Sequence, residues 1–189
     1  MKNALILHAT DNTSQGNWYP WLKGELEKKG YIVWCPDLPH AEKPSVRRYS
    51  KFIFGNKDWK FDKDSVFIGH SSGAVAVLGI LQTLPDEVVV DTCILVSAFR
   101  NNLGWEKLTD LFLDPFDFEK IRTHAKRIIL VHADNDPYCK FEDHIPYLKE
   151  QLHAELLVVP GQKHFSIGTM GEKYKQFPLL IELLEGSGL

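Results

Sequence analysis

Residues 69–73 have the sequence Gly-His-Ser-Ser-Gly, and they lie between an apolar run at residues 66–68 and a second one at residues 74–78. The first run predicts a buried strand and the second a helix, which is the strand-turn-helix context of the pattern Gly-x-Ser-x-Gly. Such a turn packs strand and helix so closely that the positions two before and two after its serine must carry almost no side chain. Gly69 and Gly73 meet that demand. The pattern therefore predicts a sharp turn that exposes the central serine at the carboxyl edge of a sheet.

Ser71, at the centre of this turn, is a candidate nucleophile. The first turn of the following helix lies beneath it and supplies backbone N–H groups without intrahelical partners, which suits acyl chemistry. The alternative is a tight strand-helix turn without chemistry. The rest of the chain decides between the two, because acyl chemistry at this turn needs an acid and a base in the chain order Ser, Asp, His.

Both partners follow later apolar runs. His164 lies in a loop just past the run at residues 156–159, and Asp136 lies just past the run at residues 127–133. Because the carboxyl ends of parallel strands lie along one edge of a sheet, we expect these two side chains to converge on Ser71. Ser71 would attack a carbonyl carbon, His164 would take and return the proton, and Asp136 would orient the imidazole.

Other residues compete for the acid and base roles. Asp134 follows the same strand as Asp136, but Asp136 directly precedes Pro137 and is therefore biased towards an extended conformation, which favours it as the acid. The seven other histidines have plainer assignments: a strand in the core for His132, a loop-orienting role for His8, the variable elbow position for His70, a Pro-rich loop for His40, and the surface for His124, His144 and His153.

Six near-continuous apolar runs alternate with helix-like segments along the chain, and this pattern predicts a doubly wound parallel sheet covered on both faces. The predicted strands are at residues 4–8, 32–36, 65–69, 91–97, 127–133 and 155–159. The predicted helices are at residues 18–29, 72–83, 116–125, 141–152 and 177–185. The chain length predicts one domain over residues 1–189.

With these features in place, the chain resembles the α/β-hydrolase superfamily, and within it the small lidless serine hydrolases typified by retinoblastoma-binding protein nine and related bacterial esterases. The resemblance extends nearly end to end. It rests on the short first strand with its polar loop, on the sequence Asn-Trp-Tyr-Pro-Trp-Leu at residues 17–22, on the elbow, and on the loops at residues 134–137 and 161–165.

The resemblance implies a three-layer α/β/α sandwich with a six-stranded parallel sheet in the order 2-1-3-4-5-6 and without a large cap. Carried over residue by residue, it assigns the nucleophile, acid and base to Ser71, Asp136 and His164, which are the residues that the loop positions select. It also implies an oxyanion hole formed by the backbone N–H of Ser72 and a second donor from the loop at residues 8–11. Thr10 is the best position for that second donor.

Aromatic residues are the candidates for the walls of the substrate pocket. Trp105, Leu108 and Phe112 recur at helical spacing, so the ordinary expectation is a helix that packs on the sheet, and the alternative is a small flap over the serine. At the first helix we expect Trp18 in the pocket wall and Trp21 in the core. The candidate pocket residues are Trp18, Phe99, Trp105 and Phe165. Too few residues separate the fourth and fifth strands for a large cap, which predicts an accessible site and short or modest-sized acyl groups.

Composition and motifs argue against several other classes of function. A formal net charge of -3 and a pI near 6.2 argue against a nucleic-acid surface. There is no apolar run near the roughly 20 residues of a membrane span, and no metal-binding or phosphate-loop pattern, so neither a membrane, a metal nor a cofactor is expected. The three cysteines are odd in number and are expected as thiols, and Met1 leads almost directly into a strand, so a cytoplasmic location is expected.

The sequence thus predicts a serine hydrolase that cleaves small carboxylic esters or small amides through an acyl-enzyme on Ser71. Two alternatives stay open: a protein-interaction module on a hydrolase fold, and a thioesterase or acyltransferase that uses the same triad. A pure scaffold has no physical need for a serine, an acid and a base at three converging loops, and the sequence contains no partner motif. The expected partner is a small-molecule acyl substrate.

Overall fold

The computed structural model describes residues 2–186, which contain a sheet of six parallel strands. The strands are β1 (Asn3–Leu7), β2 (Ile32–Trp34), β3 (Ser65–His70), β4 (Val90–Val96), β5 (Ala125–His132) and β6 (Glu155–Val158). Their spatial order is β2-β1-β3-β4-β5-β6, which confirms the predicted order and the predicted α/β/α class. Each strand lies within about two residues of its predicted position.

Helices cover both faces of the sheet. They are α1 (Tyr19–Lys28), α2 (Val46–Gly55), α3 (Ser72–Leu81), α4 (Phe118–Thr123), α5 (Phe141–Leu152), α6 (Ile167–Met170) and α7 (Leu179–Leu184), with 3-10 helices at Glu106–Leu111 and Gly171–Lys175. On β1, Leu5 and Leu7 join a core with helices α2 to α5, whereas Ala4 and Ile6 join a core with α1 and α7. This alternation follows from the two-residue period of a strand and produces the three layers.

Among residues 2–186, α2 is the one α-helix of eight or more residues that was not predicted from the sequence. It begins after Ser45, whose hydroxyl accepts a hydrogen bond from the backbone N–H of Arg48 at 3.4 Å. Tyr49 and Ile53, one turn apart, are buried in the same core as α3. The burial of this face, rather than the helix propensity of its aromatic and β-branched residues, stabilises α2.

The aromatic segment between β4 and α4 differs from the expected α-helix. It forms the short 3-10 helix Glu106–Leu111, in which Leu108 and Leu111 are buried together with Phe99 and Val75 of α3. The segment therefore packs mainly on α3 rather than on the sheet. Within residues 2–186 it does not grow into a separate cap, as the length of the connection predicted.

The strand register brings the chemically interesting loops to one edge. Leu7 of β1 pairs with Gly69 of β3, and His70 pairs with Val96 of β4. Farther along the sheet, His132 of β5 pairs with Val158 of β6, and each is the last residue of its strand. No helix within residues 2–186 has both the length and the apolar character needed to cross a bilayer.

Candidate active site

Ser71 occupies a strained turn between β3 and α3. Its backbone has φ of 56° and ψ of -119°, a region that non-glycine residues rarely adopt. Its N–H donates to the carbonyl oxygen of Val96 at 2.8 Å, which fixes the turn to the neighbouring strand. Such backbone strain costs about 1–3 kcal/mol and persists only where the surrounding structure imposes it.

The two glycines of the turn are required by close backbone contacts. A Cβ atom on Gly69 would lie 2.5 Å from Cα of Ala74, and one on Gly73 would lie 2.3 Å from the carbonyl oxygen of Leu7. Real Cβ atoms essentially never approach backbone atoms so closely. The elbow therefore packs backbone to backbone against both α3 and β1, as the sequence pattern predicts.

His164 and Asp136 form a buried hydrogen-bonded pair. Nδ1 of His164 lies 2.7 Å from Oδ2 of Asp136, and both side chains are more than nine-tenths buried. Three further donors contact the carboxylate: the Ser97 hydroxyl at 2.8 Å on Oδ2, and the backbone N–H groups of Tyr138 at 2.9 Å and Cys139 at 3.1 Å on Oδ1. Burial alone would raise the pKa of Asp136, but the hydrogen bonds and the charge of His164 outweigh it, so that this pKa lies below its ordinary value.

The rival acid Asp134 has a different role in the structure. Its Oδ1 accepts a hydrogen bond from the backbone N–H of Gly161 at 2.8 Å, and Oδ1 of Asn135 accepts one from the N–H of Lys163, also at 2.8 Å. Asp134 is exposed. These two residues after β5 therefore fasten the loop that carries His164, whereas Asp136 contacts the imidazole itself.

Ser71 and His164 line the same cavity, whose volume is about 310 Å³. One wall is aromatic: the rings of Trp105 and Tyr138 are 5.8 Å apart, and the Tyr138 ring meets the His164 ring edge-on at 5.0 Å. Lys107, which also lines the cavity, forms an ion pair with Asp11. Ser71 and His164 thus lie in a recess with an aromatic wall and a charged pair beside it.

The loop after β1 also lines this cavity, with residues 9–12. The N–H of Ala9 donates to the hydroxyl of Tyr19 at 3.1 Å, and the N–H of Asp11 donates to the carbonyl of Ala41 at 3.0 Å. Between them, the N–H of Thr10 has no hydrogen-bond partner among residues 2–186. Ser72 is the first residue of α3, where backbone N–H groups lack intrahelical acceptors.

The model of one protein family, described as serine hydrolase, matches residues 4–185. The chain belongs to the serine hydrolase family. Serine hydrolase RBBP9 of Rattus norvegicus is 29% identical over 152 residues, which are 78% of this chain and 77% of that protein. The putative hydrolase YdeN of Bacillus subtilis (strain 168) is 25% identical over 187 residues, which are 97% of this chain and 94% of that protein.

Solved structures agree with this assignment at the level of the fold. The crystal structure of the ydeN gene product from B. subtilis has a TM-score of 0.89 and 23% identity, and the match covers 99% of this chain and 98% of that one. Est1E from Butyrivibrio proteoclasticus, solved with ferulic acid bound, has a TM-score of 0.66 and 16% identity over 98% of this chain and 90% of that one. The resemblance inferred from the sequence is therefore confirmed.

Three of the four pocket residues expected from the sequence lie in the core of this serine hydrolase. Trp18 is fully buried among Tyr19, His70 and Phe177, and its Nε1 donates to the carbonyl of Phe165 at 3.0 Å. The ring of Phe165 stacks on Phe177 at 5.2 Å. Phe99 packs on Phe112 and α3. The expectation that these residues line the pocket was wrong, whereas Trp105, with 43% of its surface exposed, does line it.

Trp18 and Trp21 differ in burial in the opposite sense from the expectation: Trp18 is the core residue. Trp21, expected in the core, is only half-buried. The sequence spacing of three residues places both side chains on one face of a helix, but it does not say which of them points towards the centre of the sheet. That choice is made by packing against the loop of His164, far away in sequence.

Two histidines expected at the surface are buried: His124 is 2% exposed and His144 is 4% exposed. His124 lies just before β5 and its Nδ1 contacts the carbonyl of Val88 at 2.7 Å. His132 is in the core as expected. His8 is buried and bridges two loops, since its Nδ1 contacts the carbonyl of Ala9 and its Nε2 accepts from the N–H of Leu38, both at 2.9 Å.

Asp136, Cys139 and His164 place potential ligand atoms within 4.8 Å of one another, a spacing that a metal ion could use. Burial, however, raises the pKa of the Cys139 thiol well above its ordinary value. A protonated thiol is a poor metal ligand, and the other two groups are already bonded to each other. This donor set therefore fits an acid-base pair better than a metal centre.

Ser97, Tyr138 and Tyr19 contact the site but were not predicted from the sequence. Ser97 follows the last residue of β4 and is fully buried with φ of 50°. A polar residue directly after a buried strand, at the edge where the candidate acid was expected, is the signal that could have identified it. Tyr138 follows Pro137 next to the acid, and Tyr19 lies in the family motif at residues 17–22.

Proposed function

We propose that this protein hydrolyses small carboxylic esters, and small amides, through an acyl-enzyme on Ser71. In this proposal His164 is the general base and acid, and Asp136 is the acid that orients it. The backbone N–H groups of Ser72 and Thr10 form the oxyanion hole. The natural partner is a small-molecule acyl substrate, and none of these roles needs a cofactor.

The observation that carries the proposal is the 2.7 Å contact between Nδ1 of His164 and Oδ2 of Asp136, at a cavity that Ser71 also lines. A carboxylate accepts hydrogen bonds only, so the imidazole donates its Nδ1 proton to it. The other ring nitrogen, Nε2, then carries a lone pair and is the base. This tautomer is the one that acyl chemistry at a serine requires.

The reaction proceeds in two balanced steps. In the first, Nε2 of His164 takes the hydroxyl proton of Ser71, the oxygen attacks the carbonyl carbon, and the alcohol leaves with the proton that His164 returns. In the second, His164 deprotonates a water that attacks the acyl carbon, the bond between that carbon and Oγ of Ser71 breaks, and the carboxylic acid leaves while His164 returns the proton to Ser71. The carbonyl oxygen becomes negative in each step and is stabilised by the N–H groups of Ser72 and Thr10.

The dimensions of the cavity support small substrates. A volume of about 310 Å³ lies at the lower end of ligand pockets. The aromatic wall of Trp105 and Tyr138 offers a flat apolar surface beside His164. Ferulic acid is bound in Est1E, and an aromatic acid ester is accordingly a reasonable first substrate to test here.

The decisive experiment is covalent labelling. The purified protein is treated with a fluorophosphonate, and the adduct is located by peptide mass. We expect the adduct on Ser71, no adduct in Ser71→Ala, and an adduct in Ser72→Ala, which keeps the backbone N–H of the oxyanion hole. Absence of an adduct on Ser71 of the wild type would overturn the proposal. A panel of p-nitrophenyl esters, thioesters and anilides then separates esterase from thioesterase and amidase activity.

We further propose that the protein works in the cytoplasm. The thiols of Cys35, Cys93 and Cys139 are unpaired, which suits a reducing compartment. Burial raises the pKa of Cys93 and of Cys139 above the ordinary value, so these thiols are unreactive. Fractionation of cells that express the tagged protein tests the location, and recovery in a secreted fraction would contradict it.

A further inference from the structure

Three consecutive residues at the start of α1 are connected to the loop that carries His164, two of them by direct hydrogen bonds. Oδ1 of Asn17 accepts a hydrogen bond from the backbone N–H of Ile167 at 2.9 Å. Nε1 of Trp18 donates to the carbonyl of Phe165 at 3.0 Å. Tyr19 reaches the same loop indirectly, through the elbow residue His70. The motif at residues 17–22 therefore has a structural task that the proposed chemistry does not use.

The hydroxyl of Tyr19 has three hydrogen-bond partners, and two of them can only donate to it. It accepts from the N–H of Ala9 at 3.1 Å and from Nδ2 of Asn17 at 3.2 Å. Its own proton is then directed to Nδ1 of His70, which lies 2.7 Å away. A phenol has one proton and two lone pairs, and all three are used here.

The hydrogen bond from Tyr19 also fixes the direction of the bond between His70 and His164. Because Nδ1 of His70 accepts a proton from Tyr19, the ring proton of the neutral imidazole is on Nε2. Nε2 lies 2.9 Å from the carbonyl oxygen of His164 and donates to it. The ring is neutral at working pH, since burial lowers the pKa of His70 to about 3.

The result is an unbroken series of donors and acceptors that joins the two loops of the site. It starts at the N–H of Ala9, next to Thr10, and passes through Tyr19 and His70 to the backbone of His164. His70 itself is the residue before Ser71. The loop of the proposed oxyanion hole, the nucleophile turn and the loop of the base are thus connected through two side chains.

The loop of His164 needs such an external restraint. Lys163 and Phe165, on either side of His164, both have φ of 48°, a backbone conformation that residues other than glycine rarely adopt. A backbone with two such residues keeps its shape only where contacts from elsewhere impose it. The carbonyl between them is the one that His70 binds.

We propose that Tyr19 and His70 are positioning residues that fix the backbone of His164, and with it the imidazole, relative to Ser71 and the loop of Thr10. This inference rests on the proposed function of the triad. Both side chains are fully buried, so they act through His164 and Ala9 rather than by contact with substrate, although His70 lies directly behind the cavity wall. A loss of either one loosens the base loop and slows the chemical step rather than substrate binding.

The plainer explanation is that these groups only satisfy each other in the core. Variants of His70 separate the two explanations, because a glutamine amide reaches the position of ring Nε2 whereas an asparagine amide reaches only that of Nδ1. His70→Gln retains a donor for the carbonyl of His164, and His70→Asn does not. Tyr19→Phe removes only the hydroxyl. His124→Gln is the control, since His124 is equally buried and binds the carbonyl of Val88 at the opposite end of the sheet.

We expect kcat for a p-nitrophenyl ester to fall by about tenfold to 100-fold in Tyr19→Phe and His70→Asn, with KM changed by less than about threefold. His70→Gln should recover at least about threefold of the loss in kcat, because the carbonyl regains its donor. His124→Gln should lower the melting temperature without lowering kcat. If Tyr19→Phe and His70→Asn keep the kcat of the wild type while their melting temperatures fall as in His124→Gln, the proposal is overturned.

A second measurement does not depend on turnover. Nuclear magnetic resonance of 15N-histidine-labelled protein should give a protonated Nε2 and an unprotonated Nδ1 for His70. The Nδ1 proton signal of His164 should shift in Tyr19→Phe and stay in place in His124→Gln. The opposite tautomer of His70, or a His164 signal that does not move, overturns the positioning role. A wild-type protein with these signals and no Ser71 adduct would refute the proposed function alone.

Discussion

The hydroxyl of Ser97 donates to Oδ2 of Asp136 at 2.8 Å, the same oxygen that His164 contacts. Ser97 is fully buried, and its N–H donates to the carbonyl of Val131 at 2.9 Å, so that the end of β4 is tied to β5 as well as to the acid. The carboxylate is thus held in part from the end of β4, the strand between β3 and β5, which precede the proposed nucleophile and acid.

Ser97→Ala should lower kcat/KM by about threefold to tenfold, because Asp136 loses one donor and keeps the N–H groups of Tyr138 and Cys139. The free energy of unfolding should fall by about 1 kcal/mol. Ester kinetics and urea denaturation measure the two effects. Ser65→Ala, which removes a fully buried hydroxyl at the amino end of β3, is the matched control and should leave kcat/KM unchanged. Equal kinetics in both variants would contradict the role of Ser97.

Asp136→Asn and Asp134→Asn test the assignment of the acid. Asp136→Asn should reduce kcat by about 10⁴-fold, because an amide does not hold the imidazole in the required tautomer. In Asp134→Asn the side-chain carbonyl still accepts from the N–H of Gly161, so kcat should stay within about threefold of the wild type. If Asp134→Asn alone abolishes ester turnover, the acid has been assigned to the wrong residue.

Gly73→Ala and Gly24→Ala form a matched pair for the elbow. The new Cβ on Gly73 would lie 2.3 Å from the carbonyl oxygen of Leu7, so we expect a loss of about 3 kcal/mol or more in the free energy of unfolding. Gly24 lies inside α1 with nothing within 4 Å of a new Cβ, and alanine there should add about 0.5–1 kcal/mol. Thermal denaturation of both variants measures these changes. A Gly73→Ala variant as stable as the wild type would contradict the close backbone contact between Gly73 and Leu7.

Acid pH should destabilise the fold partly through His70. Its pKa is lowered from 6.5 to about 3 by burial, so between these values the unfolded chain binds a proton that the folded chain does not. The stabilisation is complete above pH 6.5 and declines by up to about 1.4 kcal/mol per pH unit as the pH falls towards 3. Urea denaturation from pH 7 to pH 4 should give a shallower decline for His70→Gln. Parallel curves for the two proteins would count against this assignment.

Trp105→Ala and Phe99→Ala separate a pocket wall from a core residue. Trp105 is exposed at the cavity, so its loss should raise KM for an aromatic ester several-fold with little change in the melting temperature. Phe99 is 1% exposed, and Phe99→Ala should lower the free energy of unfolding by about 3–5 kcal/mol. A Trp105→Ala variant with an unchanged KM for both aromatic and aliphatic esters would remove Trp105 from the pocket wall.

Features that depend on local sterics or on continuous burial could be predicted from the sequence. The six strands were found because strands covered on both faces are apolar along their whole length. The elbow was found because only glycine fits at positions 69 and 73. The contact between Asp136 and His164 was expected because both follow parallel strands whose ends meet at one edge.

Features that depend on distant packing partners could not be predicted in this way. Trp18 and Phe165 are buried against each other although 147 residues separate them, and neither position alone indicates the other. Helix α2 is a different case, because Val46, Tyr49 and Ile53 recur at helical spacing after the N-cap Ser45, and this signal was overlooked in the sequence. His144 lies on a helix whose inward face is set by α4 and β5, and so its burial was not expected.

Part of the cavity wall is built by a connection that contributes no strand to the sheet. Leu103, Trp105 and Lys107 come from the stretch between β4 and α4, whereas the loops of the proposed nucleophile, acid and base follow strand ends. If the proposed function holds, selectivity depends in part on a segment that carries none of the reacting groups, although Tyr138 of the Asp136 loop also forms part of the wall. Replacement of this short stretch by a longer one, as a loop graft, is the natural engineering route to new acyl preferences with the chemistry left intact.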